Sequence, residues 1–393
     1  MLFKGRFAAP LVFIFLALQL AGFQLSYAQD SFRSATHELC NAYSGTTGDS
    51  GFAYAQALAC LALKRPAEAE RIFQNVLSQM GESPSLRILL GIAFKITEHW
   101  QEAVREFERA IKLDPTGPKA HYYLGLTLLL SRGAPAFEPA MKQFQLELEL
   151  NPDQYLPNFY MGLVLTLGRD DDEALRYLLK AIEIDPSNPD PYLYTGQVLV
   201  RSEKTHEAIE ALRESIALTK DPGRNSYQVS NAEYILGQIL LKSGSRKEAV
   251  QHIKKSQELK RLQYQAAQVD FQARTLTGVS AAPSGMASHD FRDLRDVEPG
   301  LNLNRPSPDD QTQAGHKSAE HLYRNTAAKA LQTVAGIASE QQDLTSAVGY
   351  LETAVRLAPE KPELFYQLSQ AYARAGHPKQ AEKALEKYKE LVK

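Results

Sequence analysis

A helical pattern of apolar and polar positions occurs several times along the chain. The stretch "EAVREFERAIKLDP" at positions 102–115 returns 71 residues later as "EALRYLLKAIEIDP" at positions 173–186. Aligning this motif along the chain produces a column of alanines and, four residues after each, a column of large apolar residues. Because residues i and i+4 lie on one face of a helix, each pair predicts a packing site of one small and one large side chain. The alanines are Ala69, Ala103, Ala140, Ala174, Ala208, Ala249, Ala347 and Ala381, and the large residues are Phe73, Phe107, Phe144, Leu178, Leu212, Ile253, Leu351 and Leu385.

The basic period is 34 residues, and two further positions recur within it. A glycine usually stands twelve residues before the alanine, and a proline closes several units. Glycine inside a helix costs up to about 1 kcal/mol relative to alanine, which is tolerable where a neighbouring helix must come close. Proline lacks a backbone donor and ends a helix, so the pattern predicts a stack of helix-turn-helix units. The glycines are Gly91, Gly125, Gly162, Gly196 and Gly237, and the prolines are Pro115, Pro152, Pro186 and Pro359.

This spacing, with "LLGIAF" at 89–94, "YLGLTL" at 123–128 and "YTGQVL" at 194–199 in the first helices, resembles the tetratricopeptide repeat (TPR) family. The resemblance covers positions 50–276 with six repeats and 328–392 with two more. It implies an all-α fold, namely a right-handed superhelical solenoid of helix-turn-helix repeats, in two repeat blocks joined by a flexible linker.

The composition outside the repeats predicts the other segments. Residues 1–28 have the layout of a secretory signal peptide, because Lys4 and Arg6 precede the apolar run "LVFIFLALQLAGF" and small residues stand before Gln29. Residues 29–49 are expected to form a helical N-terminal cap, 50–276 the first repeat block with an extended last helix, 277–315 a flexible linker and 316–393 the second block. The protein is therefore expected to be exported, periplasmic or secreted, with no stable membrane insertion once the signal is cleaved. The alternative is an uncleaved anchor, although its 13 apolar residues fall short of the roughly 20 that span a bilayer.

The charge of the chain bears on the partners that it could bind, and its cysteine content bears on disulfide formation. The formal net charge is −2, and no basic patch indicates nucleic-acid binding. The only cysteines, Cys40 and Cys60, form a plausible disulfide in an oxidising compartment. Two buried free thiols are the alternative, and neither interpretation makes a catalytic cysteine.

Motifs for catalysis or metal binding are absent from the sequence. There is no glycine-rich phosphate loop, nucleophile elbow or zinc-protease motif. The segment "HKSAEH" at 316–321 spaces its ligand types one residue too widely for the inverted zincin motif, and "RDDDEA" at 169–174 is better explained as a helix start with favourable charge. We therefore predict no catalytic residue, no cofactor, no metal and no enzymatic activity.

The resemblance also implies where a partner would bind, since the first helices of successive repeats line a concave groove that typically holds a peptide or a helix. Two columns beside the glycines are expected to face this groove, apolar and aromatic in the first half and amide-bearing in the second. They predict an apolar or amphipathic partner segment rather than an acidic tail. Alternatively, these side chains pack between helices or are covered by the protein's own N-terminal segment or linker. The residues are Tyr54, Ile88, Ile92, Tyr122, Leu126, Phe159, Leu163, Leu193, Gln197, Tyr234, Gln238, Tyr366 and Gln370.

The leading functional hypothesis is therefore a non-catalytic scaffold or adaptor that binds other proteins or peptides, for envelope assembly or secretion. Two alternatives stay open. One is an enzyme or small-ligand-binding protein with a site at the junction of the two blocks. The other is a structural protein that assembles with copies of itself as a homo-oligomer.

Overall fold

The structure of the protein, a computed structural model, describes residues 34, 36–41, 50–219, 226–277, 315–340 and 342–392, apart from the side chains of 226, 227, 263, 266–277, 315–320 and 322. Every regular element in these ranges is a helix. The expected signal peptide and nearly all of the expected linker lie outside the described residues. Within them, no helix is both long and apolar enough to cross a membrane.

Sixteen α-helices of the described chain follow one another as eight pairs, and in each pair the second helix packs against the first. The first helices of repeats one to six are α1 (Ser50–Ala62), α3 (Pro84–Ile96), α5 (Ala120–Arg132), α7 (Tyr155–Gly168), α9 (Asp190–Arg201) and α11 (Ser226–Lys242). Their second helices are α2 (Pro66–Met80), α4 (Trp100–Leu113), α6 (Phe137–Leu150), α8 (Asp171–Ile184), α10 (Thr205–Leu218) and α12 (Arg246–Thr277). The C-terminal block consists of α13 (Gly315–Glu340), α14 (Leu344–Leu357), α15 (Pro362–Arg374) and α16 (Pro378–Val392). The chain is thus an all-α solenoid, as predicted.

The glycine column of the first helices meets the large apolar column of the second helices. A Cβ atom added at Gly91 would lie 2.4 Å from Cε1 of Phe107, and one added at Gly125 would lie 2.8 Å from Cε1 of Phe144. Only a hydrogen atom leaves room for these rings, so the glycine allows the two helices of a repeat to approach each other. The same relationship holds for Gly162 with Leu178, Gly196 with Leu212 and Gly237 with Ile253.

The acidic or amide residue before three of the four prolyl stops forms a turn of its own. The side chain of Asp114 accepts a hydrogen bond from the backbone N–H of Thr116 at 3.1 Å, and Asp185 accepts one from Ser187 at the same distance. Asn151 does the same for Asp153 at 3.2 Å. Asp and Asn favour such turns because their short side chains reach the backbone two residues on. The "D-P" and "N-P" endings therefore combine a helix stop with a built-in turn.

The third repeat is longer than the basic period, because Ala140 follows Ala103 by 37 residues instead of 34, and the extra residues lie in the turn that follows Ser131. A 3-10 helix, Ala134–Ala136, fills the turn between α5 and α6, and its last residue, Ala136, is buried. The helix α12 is 32 residues long, as the continued helical pattern of the sequence indicated.

The apolar core joins the two ends of the chain. One cluster of buried side chains runs from Leu39 through repeats one to four to Tyr194 and Val198 of repeat five, and it includes the C-terminal block up to Ala384. Repeats five and six have a separate cluster around Leu193, Leu212 and Leu236. The helix α11 packs against α12 and against repeat five, whereas α13 packs against α1 and α3. The C-terminal block therefore shares its core with the start of the solenoid.

Candidate functional site

The column of side chains expected to face a groove is divided into a buried half and an open half. The apolar half is not an open groove in this structure, contrary to the expectation from sequence, and the role of these residues in binding stays a prediction. The buried residues are Tyr54, Ile88, Ile92, Tyr122, Leu126, Phe159, Leu163 and Leu193. Gln197 is half-buried, and Tyr234, Gln238, Tyr366 and Gln370 are exposed.

Packing between successive repeats accounts for part of this burial. The hydroxyl of Tyr54 donates a hydrogen bond to the backbone carbonyl of Leu89 in the next repeat, at 2.9 Å. The ring of Tyr122 lies 6.5 Å from that of Phe144 and 6.1 Å from that of Tyr160 in the following repeat, which are distances typical of interacting aromatic pairs. These side chains join helices, which is one of the alternatives that the sequence left open.

The C-terminal block covers the first helices of repeats one and two. Three polar contacts join the C-terminal block to the N-terminal segment and to repeats two and three. Tyr323 hydrogen-bonds to Thr36, the hydroxyl groups of Ser85 and Tyr350 lie 3.3 Å apart, and Nζ of Lys119 lies 3.4 Å from a carboxylate oxygen of Glu340. The sequence suggested the N-terminal segment or the linker as a cover. In the described part of the chain α13 packs on α1 and α3, and Leu39 and Cys40 of the N-terminal segment are buried in the same core.

The open half is centred on Tyr234 in repeat six, whose side chain is 41% exposed. The amide of Gln238 donates a hydrogen bond to the Tyr234 hydroxyl at 2.7 Å, and Nζ of Lys260 lies 4.9 Å from the ring centre. A cation at this distance is attracted by the ring face. Glu233, the residue before Tyr234 in α11, pairs with His252 of α12, whose Nδ1 lies 2.5 Å from the Glu233 carboxylate. This contact joins the two helices of repeat six. The result is an exposed aromatic side chain with amide and ammonium groups beside it.

A second polar column was missed at the sequence level. The residue four before the glycine in the first helix pairs with the residue three after the alanine in the second helix. Nη1 of Arg87 donates to the buried carboxylate of Glu106 at 2.8 Å. The equivalent pairs are His121 with Gln143 at 2.8 Å and Glu233 with His252. Comparing the aligned repeats for complementary polar residues would have found this column.

The buried carboxylate of Glu147 binds the backbone N–H groups at the start of α5, the first helix of repeat three. Glu147 of α6 accepts hydrogen bonds from the backbone N–H of Lys119 at 2.7 Å and of Tyr122 at 3.1 Å, and from the amide of Gln154 at 2.8 Å. Free N–H groups at a helix start need acceptors, and a carboxylate also suits the positive end of the helix dipole. Glu147 therefore has a structural function in orienting α5.

Repeats four and five meet at two polar groups that lack partners. Among the described residues, no hydrogen bond satisfies the buried Tyr155 hydroxyl or the buried Oδ1 of Asp190. Burial raises the pKa of the Asp190 carboxyl to about 6. Burial and, to a lesser extent, the charge of Asp190 raise the pKa of Tyr155. An unpaired buried carboxyl weakens the folded state, so this junction is a point of lower stability.

Among the side chains that the structure describes, no group of three or more His, Cys, Asp or Glu residues is arranged to hold an ion, and the side chains of 316–320 lie outside them. In "RDDDEA", Asp171 is engaged by Nε of Arg201 at 3.0 Å. Asp170 occupies the N-cap position of α8 without a side-chain capping hydrogen bond, so the benefit of the run is its negative charge in the first turn. In "HKSAEH", His321 is exposed and hydrogen-bonds to Asn325 at 2.9 Å.

Cys40 and Cys60 form a disulfide in the structure. Cys60 lies in α1 and is completely buried, and Cys40 lies in the helical segment 36–41. The bond attaches this segment to the first repeat, beside the α13 contact with Thr36.

Paired helices that stack through a repeated glycine contact, with a face of first helices and no built catalytic centre in the described residues, define a helical repeat solenoid. Two stretches of the chain match models of tetratricopeptide repeats. Residues 91–130 match a family model described as TPR repeat, and residues 338–391 match one described as tetratricopeptide repeat. Repeats of this kind typically bind other proteins or peptides, and the matches therefore support a role in protein–protein interaction.

Several solved structures are similar to parts of the chain. MamA 41-end from Desulfovibrio magneticus RS-1 is 22% identical, covers 46% of this chain and 97% of its own, and has a TM-score of 0.40. Another MamA structure is 21% identical over 45% of this chain and 97% of its own, with a TM-score of 0.39. YrrB, described as a TPR protein with an unusual peptide-binding site, is 18% identical over 50% of this chain and 97% of its own, with a TM-score of 0.40. No curated protein matches the sequence.

Proposed function

We propose that this protein is an exported, non-catalytic adaptor that binds an apolar or amphipathic segment of a partner protein along the first helices of its repeats. The observation that carries the proposal is the open half of the column at repeats five and six. There Tyr234 is exposed although its equivalents in the earlier repeats are buried. Large aromatic side chains exposed at a fixed position of a repeat surface are typical contact residues in protein interfaces.

The chemistry of the open half fits a polypeptide partner. The Tyr234 ring offers an apolar surface, and the Gln238 amide offers both a donor and an acceptor for a backbone. Gln197, one repeat earlier, is half-buried and supplies a second amide at the equivalent position. A partner segment with an apolar side chain over Tyr234 and its backbone beside the two amides would use all of these groups.

Site-specific photo-crosslinking tests the proposal. A benzophenone side chain in place of Gln238 should crosslink to a partner polypeptide in native envelope extracts, and a Tyr234→Ala change in the same chain should weaken this product at least fivefold. A benzophenone in place of Leu179, which is exposed on the second helix α8, is the matched control and should give no such product. Equal crosslinking from both positions, or a product that ignores Tyr234→Ala, would contradict the assignment.

Export is the second part of the proposal, and the layout of residues 1–28 supports it. A disulfide between the only two cysteines is in keeping with an oxidising compartment. N-terminal sequencing of the protein from its native cell should start at Gln29. A chain that keeps Met1 and fractionates with the cytosol would overturn this part of the proposal.

A further inference from the structure

Repeat six is the last unit of the first block, and the surface on which a following repeat would stack is open. At the earlier junctions the second helix of one repeat packs against the first helix of the next, as α8 packs against α9 and α10 against α11. Among the described helices, no helix of a later repeat packs against α12 in this way, whereas α13 lies against α1 and α3. The end of repeat six therefore presents a stacking surface that no described helix covers.

Apolar side chains at this surface are exposed although their equivalents in earlier repeats are covered. The residue after the column alanine is half-buried in repeats two to five and packs against the apolar core. These residues are Val104, Met141, Leu175 and Ile209. Their equivalent in repeat six, Val250, is 42% exposed, and Leu241 of α11 is 49% exposed. A terminal repeat normally has a polar outer face, so exposed apolar residues here indicate a contact surface.

Charged side chains pair across earlier junctions at two fixed positions of the second helix. Three residues before the column alanine, Asp171 of α8 accepts a hydrogen bond from Nε of Arg201 in α9 at 3.0 Å. Five residues after the alanine, Arg213 of α10 donates to the carboxylate of Glu248 in α12 at 2.7 Å. In repeat six the same two positions hold Arg246 and Lys254, and both are exposed. A helix pair stacked on this end in the same way meets two positive charges.

The charge of this end disfavours a second copy of the chain as its occupant. Between positions 246 and 261, α12 carries six basic and two acidic side chains. Two such ends facing each other would bring like charges together, which suppresses association. The first repeat offers no equivalent open end, because Leu39 and Cys40 share its core. The observations therefore favour a partner of opposite charge. The basic residues are Arg246, Lys247, Lys254, Lys255, Lys260 and Arg261, and the acidic ones are Glu248 and Glu258.

We propose that the open end of repeat six binds an acidic helical hairpin of a partner protein, which stacks on α11 and α12 as repeat five stacks on repeat four. Apolar side chains of the hairpin cover Leu241 and Val250, and its carboxylates lie beside Arg246 and Lys254. Charge complementarity of this kind selects the partner, because a basic helix is repelled. The surface lies in the same repeat as the open column at Tyr234 and is additional to it.

A probe for this surface can be taken from the chain itself. Residues 188–219 contain the hairpin of α9 and α10, and Glu207 stands there at the position equivalent to Glu248. The mismatch is Arg201, which would face Arg246. A fluorescein-labelled synthetic peptide of residues 188–219 with Arg201→Glu should therefore bind the full-length protein. The unmodified peptide should bind about tenfold more weakly because of the like charges.

Charge reversal in the chain separates this contact from unspecific attraction. Arg246→Glu should reverse the preference, so that the unmodified peptide binds this variant about tenfold more tightly than the peptide with Arg201→Glu does. Lys247→Glu makes the same change of charge at an exposed neighbouring position and is the matched control, which should keep the wild-type preference. Fluorescence anisotropy measures all of these affinities. Binding of neither peptide to the wild type, an unchanged preference in Arg246→Glu, or a reversal by Lys247→Glu would overturn the proposal.

A crosslinking experiment in the full-length protein tests two other occupants. A benzophenone side chain in place of Val250 should crosslink to the peptide with Arg201→Glu, and mass spectrometry should map this product to α9 or α10. A product with a second copy of the chain, or with residues 278–314 of the same chain, in place of the peptide would overturn the proposal. Crosslinking from Gln238 in native extracts depends on Tyr234 and involves neither Arg246 nor the peptide. Failure of this inference is therefore distinguishable from failure of the proposed function.

Discussion

The hydroxyl groups of Ser85 and Tyr350 lie 3.3 Å apart, although 265 residues separate them in the sequence. Ser85 opens α3 in repeat two, and Tyr350 belongs to α14 of the C-terminal block. In an ordinary repeat array each unit contacts only its neighbours along the chain. This contact and the shared core make the last repeats structural neighbours of the first ones. A substitution that destabilises one end should therefore also destabilise the other.

Truncating Ile337 should loosen the beginning of the solenoid. Ile337 is completely buried in α13, and Ile337→Ala should cost about 2 to 5 kcal/mol as a core truncation. Amide hydrogen exchange should accelerate in α1 and α3, with α9 and α10 nearly unchanged. Leu212→Ala, at an equally buried position in α10, is the matched control and should accelerate exchange in repeats five and six instead. Exchange that rises only within the C-terminal block after Ile337→Ala would show that the two ends are not coupled.

Adding one methyl group at Gly91 should destabilise repeat two. The new Cβ would lie 2.4 Å from the Phe107 ring, so the ring must move, and such overpacking costs about 1 to 3 kcal/mol. Gly336 lies in the middle of α13, is exposed and has no neighbour within 4 Å of an added Cβ. Gly336→Ala should therefore stabilise the protein by about 0.5 to 1 kcal/mol. Urea unfolding measures the change in the free energy of unfolding for both substitutions. If the Phe107 ring causes the loss, Gly91→Ala should destabilise the protein less in a Phe107→Leu background.

The buried carboxyl of Asp190 should make stability depend on pH. Its pKa is about 6 in the folded protein and about 3.9 in an unfolded chain. Between these values the unfolded state loses the proton first, so the free energy of unfolding should fall as the pH rises from about 4 to 6 and stay low above that. Asp190→Asn should stabilise the protein at pH 7 by up to about 3 kcal/mol. The gain should vanish below about pH 4.

The exposed Glu108 supplies the control for this pH experiment, because Glu108→Gln removes a carboxylate without a buried environment. Its effect on the free energy of unfolding should be small, because an exposed carboxylate has no desolvation to relieve. A gain from Asp190→Asn that persists at pH 3 would mean that packing, rather than ionisation, explains it.

Removing the disulfide should weaken the attachment of the N-terminal segment. Cys40 and Cys60 are 20 residues apart, and a loop of this size is worth about 3 kcal/mol in the chain-entropy model. Thermal unfolding with and without reductant should show this loss, and the Cys40→Ser, Cys60→Ser double variant should resemble the reduced protein and ignore reductant. Identical unfolding of the oxidised and reduced wild type would contradict a stabilising bond.

Much of the fold could be predicted because each repeat is a local unit. The alanine, the large residue four positions later and the glycine of the preceding helix lie within about 30 residues of one another, and the pair formed by Gly91 and Phe107 satisfies all of these requirements inside one repeat. The prolyl stops likewise depend on neighbours in sequence, as Asp114 and Asp185 show.

The candidate site was less predictable from the sequence than the fold was. Exposure of a column residue depends on which helix lies over it, and Tyr122 and Tyr234 hold the same position in their repeats with opposite exposure.

The sequence by itself determined the repeat class, the helix pairs and the small-and-large contacts, because those follow from helical period, side-chain volume and local turn chemistry. Only the tertiary structure decided that the C-terminal block returns to α1 and α3, since a contact such as that of Lys119 with Glu340 leaves no periodic signal in the chain. An alanine-rich helix can pack closely against many apolar surfaces. Its composition therefore does not specify the helices against which it packs. The division of the column into a covered half and an open half at Tyr234 follows from that long-range choice.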